Sequence, residues 1–193
     1  GVRKFRVTGG EPLLHSDIGS ILKYFSESGY FTLVNSNGSL VTKKHRMLTE
    51  LLPNIRFAVS LDTLRPSRLQ QISGQDCLSD ILEGIHFLKS KDLLLRVNMV
   101  VGQHNYDEIY DIITFCNELD CDLKILDIVS VPVPFGQRQD YYKEVSSLEE
   151  EFRQRCDGIF SHEYTRGFGT PCFKYKFNNT FVTVKNSTKG SHY

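Results

Sequence analysis

Short runs rich in β-branched and aromatic residues alternate along this chain with stretches in which apolar residues return every three or four positions. A period of two marks a half-buried strand, and a period near 3.6 marks an amphipathic helix. The runs at 4–8, 31–35, 55–60, 94–101 and 123–128 read as strands. Helices are expected over 18–28, 43–52, 78–89 and 106–119. Ile18, Ile21, Leu22 and Phe25 stripe the first, and Met47, Leu48 and Leu51 the second. Ile81, Leu82, Ile85 and Leu88 stripe the third, with Asp76 as its expected N-cap. Ile109, Ile112, Ile113 and Cys116 stripe the fourth.

Strands that alternate with helices indicate an α/β fold with a parallel sheet, either doubly wound or a barrel. A complete eight-unit barrel needs about 250 residues. If the fold is a barrel, this chain of 193 residues holds a partial TIM-like one. The pattern changes after Ile128. A Pro- and Gly-rich loop is expected at 129–139, a charged helix at 145–155, and a Gly-rich segment at 165–171. The alternating run KYKFNNTFVTVKN follows, with Asn178 and Asn179 as a hairpin turn. The expected division is a barrel core over 1–130 and an extension over 131–193 packing on it.

The strands are amphipathic in an unusual way for a parallel sheet. Phe5 and Val7 share one face of the first strand, and Lys4, Arg6 and Thr8 share the other. Phe57, Val59 and Leu61 oppose Arg56, Ala58 and Ser60. Leu95, Val97 and Met99 oppose Arg96 and Asn98. A parallel strand covered on both faces is nearly all apolar. Either one face is solvated, or it lines a lumen that takes a polar ligand. In the second case Lys4, Arg6 and Arg96 would meet an anion, because an unpaired buried charge costs several kcal/mol.

The strand ends carry the candidate chemistry. The first runs into Thr8-Gly9-Gly10-Glu11-Pro12, where two glycines allow a sharp turn and close approach of a ligand. Glu11 adds an acceptor suited to an ammonium group. The second ends in Asn35-Ser36-Asn37-Gly38 and the third in Ser60-Leu61-Asp62. Each alone reads as a cap or turn. Three polar ends on successive units point to a site, as in barrels, where ligands gather at the strand carboxyl ends.

Charge and cysteines narrow the classes. Twenty-three basic residues balance 23 acidic ones, which argues against DNA or RNA as the partner. No apolar run approaches the roughly 20 residues that span a bilayer. Cys77, Cys116, Cys121, Cys156 and Cys172 fit neither a zinc spacing nor a disulfide framework, so no metal ligand is assigned. They read as free thiols of a cytoplasmic protein.

KFRVTGGEPLL, followed in order by NSNG, VSLDTL, RVNMVV and NYDEIYDI, resembles the radical S-adenosylmethionine superfamily. Within it, the sequence is most similar to the MoaA family, the GTP 3′,8-cyclases of molybdenum-cofactor biosynthesis. The resemblance covers residues 1–128. It implies cofactor contacts at Gly9, Gly10 and Glu11, which would take the amino group of the methionine moiety. It implies others at Ser36, Asn37 and Ser60, with an apolar contact to adenine near Val129. Lys4 and Arg6 would engage the nucleotide substrate, and Arg96 stands where the family has a substrate lysine. The implied cofactors are S-adenosylmethionine and a 4Fe-4S cluster, with GTP as the small-molecule substrate and a reductant protein as partner. The implied chemistry is reductive cleavage of S-adenosylmethionine to a 5′-deoxyadenosyl radical, which abstracts hydrogen from the substrate.

The family's C-x3-C-x2-C cluster motif has no counterpart among the five cysteines. The chain is therefore expected to be a fragment lacking the first barrel strand and the cluster loop, and inactive alone. Two other readings stay open: a radical enzyme acting on a peptide or small metabolite, and a cluster-less module that binds a ligand without catalysis. The sequence sets no oligomeric state.

Overall fold

The computed structural model describes residues 1–127, 145–162 and 172–185. The chain divides into two compact units. The first holds 1–61 and 65–97, and the second holds 62–64 and 98–193.

In the first unit β1 (Lys4–Val7), β2 (Phe31–Ser36), β3 (Ile55–Ser60) and the start of β4 (Leu94–Val101) lie in that order. β1 pairs in parallel with β2, and β2 with β3. Helices α1 (Ile18–Glu27), α2 (His45–Thr49), α3 (Pro66–Ser73) and α4 (Leu78–Ser90) connect them. Their apolar stripes build the core: Leu22, Leu48, Ile85 and Leu88 are fully buried, as are Val34, Phe57 and Val59 of the sheet. The α/β expectation of a partial TIM-like barrel stands, with an open parallel sheet among the described strands of this unit.

Three local expectations change. The second helix is expected to reach Leu52 but ends at Thr49. Pro53 disfavours helical backbone in the residue before it, and Leu52 is half-exposed. Cys77, not Asp76, occupies the position before α4, and no side chain caps that helix. Helix α3 was not expected. Only Leu69 of it is buried, so it carries almost no apolar period. Its marks are Pro66 in its first turn and Gly74 with φ +71° just past its end.

In the second unit the strand order is β4, β5 (Asp122–Asp127), β8 (Thr180–Lys185), β7 (Cys172–Phe177) and β6 (Gly158–His162). Strands within the stretch expected as an extension share this unit's sheet. β8 pairs in parallel with β5, Leu123 opposite Val182, and antiparallel with β7. Asn178, at φ +51°, turns the β7–β8 hairpin as expected. Helix α5 (Ile109–Glu118) and helix α6 (Ser146–Arg155) cover this sheet. Phe152 meets Phe177 at 5.0 Å and Tyr175 at 5.5 Å between ring centroids, both edge to face.

Candidate cofactor site at the strand ends

The register of the first unit sorts the polar face into rows. Lys4 lies level with Phe31, Arg6 with Leu33 and Arg56, and Asn35 with Ala58. Paired residues in a sheet point to the same side. Arg6 and Asn35 therefore share a face, and Asn35 stands one row nearer the strand carboxyl ends. Lys4 opens β1 and lies one row further away than Arg6.

The cations on this face differ in their partners. Arg56 is clamped by Asp92, with both nitrogen–oxygen distances at 3.1 Å, and its charge is met. The side chains of Lys4 and Arg6 are exposed and form no hydrogen bond or ion pair among the described residues. Arg96 is half-buried and already partnered.

The GGEP turn sits at the end of β1. Gly9 and Gly10 are exposed, and a Cβ at either would meet nothing within 4 Å, so the backbone lies open to a ligand. Glu11 then opens a short 3-10 turn, Pro12–Leu14, and accepts three hydrogen bonds. Its Oε1 accepts the Leu13 amide at 3.0 Å and the Ser36 hydroxyl at 2.8 Å. Its Oε2 accepts the Asn37 amide at 2.6 Å.

The β2 end folds around that carboxylate. Ser36 is buried, and its Oγ also accepts the Gly38 amide at 3.0 Å. Asn37 turns its Oδ1 to the Ser39 amide and hydroxyl, at 3.0 and 2.8 Å. Gly38 has φ +82°, and a Cβ there would lie 2.8 Å from Val59 Cγ1. Gly84 of α4 abuts the same turn: a Cβ on it would stand 2.6 Å from the Gly38 carbonyl oxygen. The turn is thus held from one side by a carboxylate and from the other by a helix.

Ser60, the last residue of β3, is exposed. Val129 lies outside the described residues. In the sequence Asn35 reads only as part of a polar turn. Its Oδ1 is buried with no partner among the described residues, which leaves an acceptor on the Arg6 face in need of a donor. A polar residue inside an apolar strand run was the available signal.

The third strand leads to a second polar knot, in the other unit. The half-buried Asp62 accepts the Val100 amide at 2.7 Å, and burial raises its carboxyl above the ordinary value. Asn105 donates to the carbonyls of Asp62 and Val100 at 2.7 and 2.9 Å. Glu108, fully buried, accepts the Thr63 hydroxyl at 2.6 Å and the Leu64 amide at 2.9 Å.

Two groups need a fit to these residues. A ligand with an amine, a carboxylate and hydroxyls finds open glycine backbone at Gly9 and Gly10 and an unused acceptor at Asn35. S-adenosylmethionine has that chemistry and fits. An iron–sulfur cluster does not: among the described residues no three His, Cys, Asp or Glu side chains group to hold a metal. Cys116 and Cys121 are both buried. The hydrogen bond between their thiols, with burial, pushes the Cys116 thiol well up, away from the thiolate that binds metal. No described helix is long and apolar enough to cross a membrane.

Comparison with known proteins gives the family. The chain is 26% identical to the "Probable GTP 3′,8-cyclase" of Methanocaldococcus jannaschii, over 85% of this chain and 54% of that protein. It is 30% identical to the protein of the same name from Pyrococcus abyssi, over 80% of this chain and 51% of that one. The chain spans about half the length of these curated relatives. Among solved structures, Streptococcus suis SuiB superposes with a TM-score of 0.68 at 21% identity, over 80% of this chain and 36% of that one. The same protein has been solved bound to S-adenosylmethionine. The profile described as "Radical SAM superfamily" matches residues 1–116, well over half of the chain, and the chain belongs to that superfamily.

Proposed function

We propose that this chain forms the cofactor- and nucleotide-binding part of a GTP 3′,8-cyclase of the MoaA kind. The observation that carries the reading is the pair Lys4 and Arg6, exposed and without a side-chain partner among the described residues, on the face that leads up to the GGEP turn. A triphosphate supplies the anion that two such cations lack. The similarity to proteins named GTP 3′,8-cyclase supports the same substrate.

When bound, S-adenosylmethionine supplies radical chemistry that removes hydrogen from the substrate. This chain's residues bind and orient. Gly9 and Gly10 offer open backbone to the amino acid portion, and Ser60 offers a hydroxyl at the next strand end but one. Arg6 and Lys4 draw the phosphates along β1. Asn35, between Arg6 and the rim, accepts a donor from the ligand. The reductant protein of the reading acts from outside these residues.

The test is nucleotide binding by the cluster-loaded full protein. Arg6→Ala is expected to weaken GTP binding about tenfold, the loss of one charge-assisted contact, with S-adenosylmethionine affinity retained. Lys4→Ala, one row further from the rim, should cost less. GTP affinity unchanged in Arg6→Ala would end the GTP reading. Tight binding of a peptide or another small metabolite in place of GTP would move the enzyme elsewhere in the superfamily.

A further inference from the structure

Glu11 is the acid of the GGEP turn, and the obvious task for it is to hold the cofactor's ammonium group. Its hydrogen bonds point to a different task. A carboxylate offers about four lone-pair sites. Three are taken, by the Leu13 amide, the Ser36 hydroxyl and the Asn37 amide. Two of these donors lie on β2 and its turn, 25 and 26 residues away in sequence. The Ser36 hydroxyl spends its one proton on Glu11 while accepting from Gly38, so it has none to donate to a ligand.

We infer that Glu11 is a positioning residue: its carboxylate, through Ser36 and Asn37, ties the β1 turn to the β2 turn and fixes the shape that a ligand meets. The inference rests on the reading that S-adenosylmethionine binds this face. Hydrogen bonds to a charged acceptor are stronger than neutral ones, and the 2.6 Å bond to the Asn37 amide is of that kind. Glu11→Gln keeps the size but replaces one acceptor oxygen with a donor NH2. That donor faces either the Asn37 amide, or the Leu13 amide and a Ser36 hydroxyl that must turn to accept it, so the tie is weakened in both orientations. Ser36→Ala breaks it from the other side. Ser36→Thr keeps the hydroxyl and should keep the tie.

Two probes separate this role from direct ammonium binding. S-adenosylmethionine carries the amino group, whereas 5′-methylthioadenosine lacks the whole amino acid portion. In the cluster-loaded full protein, Glu11→Gln is expected to weaken both probes by similar factors, about tenfold each. Ser36→Ala should do the same, and the double variant should lose little more than either single one, since both cut one network. Ser36→Thr should bind as wild type. A Glu11→Gln loss confined to S-adenosylmethionine, with 5′-methylthioadenosine untouched, would overturn the inference in favour of an ammonium ligand.

A ligand-free measurement keeps the two readings apart. Amide hydrogen exchange at Asn37 and Gly38 should quicken at least tenfold in Glu11→Gln and in the milder Ser36→Ala, against unchanged exchange in the α4 core. Unchanged exchange at both amides would sink the positioning role. Wild-type protein that binds neither probe would sink the cofactor reading of this face.

Discussion

At the scale of single residues, the β2 turn concentrates the steric demands. Gly38 adopts φ +82°, where a side chain is strained, and its missing Cβ makes room for Val59. Gly84 makes room for the Gly38 carbonyl. Gly38→Ala should cost about 2–4 kcal/mol, combining backbone strain with overpacking. Gly84→Ala should cost about 1–3 kcal/mol, although alanine favours helix elsewhere. Chemical denaturation reads both, and a Gly84→Ala protein as stable as wild type would show that α4 can retreat freely. Asp62 gives a pH prediction. Burial raises its folded carboxyl above the unfolded value near 3.8, so folding disfavours its charge. The stability from this group is full below the unfolded value and is lost as pH rises through the folded one. Asp62→Asn should therefore be more stable than wild type at pH 7, with the gap closing toward pH 3. A gap that stays constant over that range would assign the effect to something other than ionisation. Tyr175 adds a contrast: its hydroxyl is buried without a partner among the described residues, so Tyr175→Phe should be neutral or stabilising by about 1 kcal/mol.

At the scale of elements, what could be read from the sequence follows from how each element makes its stability. The strands through Asp127 and the helices α1, α4 and α5 carry strong apolar periods, and each was legible within a few residues. Helix α3 was not, because one buried leucine leaves no period and the helix is defined by its ends. Gly74→Ala should accordingly cost about 1 kcal/mol, since that residue sits at φ +71° in the C-terminal cap. Strand β6 was missed because it is short and leaves Ile159 and Phe160 exposed. The candidate site was legible as residue types at strand ends. Its wiring was not: nothing in the sequence spacing says that Glu11 bonds across to Ser36 and Asn37, or that Asn35 is left with an idle acceptor. Those facts come from strand register, which pairing and not local pattern decides.

At the scale of the whole chain, the extension is part of the second unit's core. Phe152, Tyr175 and Val182 are fully buried there. Phe152→Ala should cost about 3–5 kcal/mol, the range for emptying an aromatic site. Thermal unfolding with a probe in each unit would show the effect. A melting point unchanged by Phe152→Ala would mean that α6 contributes little to that core. Tyr110 should respond too. Burial and the neighbouring Glu151 push its hydroxyl up to about 12, so it should resist ionisation at pH values that ionise exposed tyrosines.

The pairing of β5 with β8 has a consequence for the order of folding. Leu123 lies opposite Val182, and residues 128–179 intervene. Closing so long a loop costs entropy before any ladder bond repays it. During synthesis β5 emerges with one edge bare, and it stays bare until β8 follows. An unpaired apolar edge invites pairing with another chain. Among the described strands, this edge of β5 is completed only when β8 arrives, and a chaperone that shields β5 until then should raise the yield of folded protein.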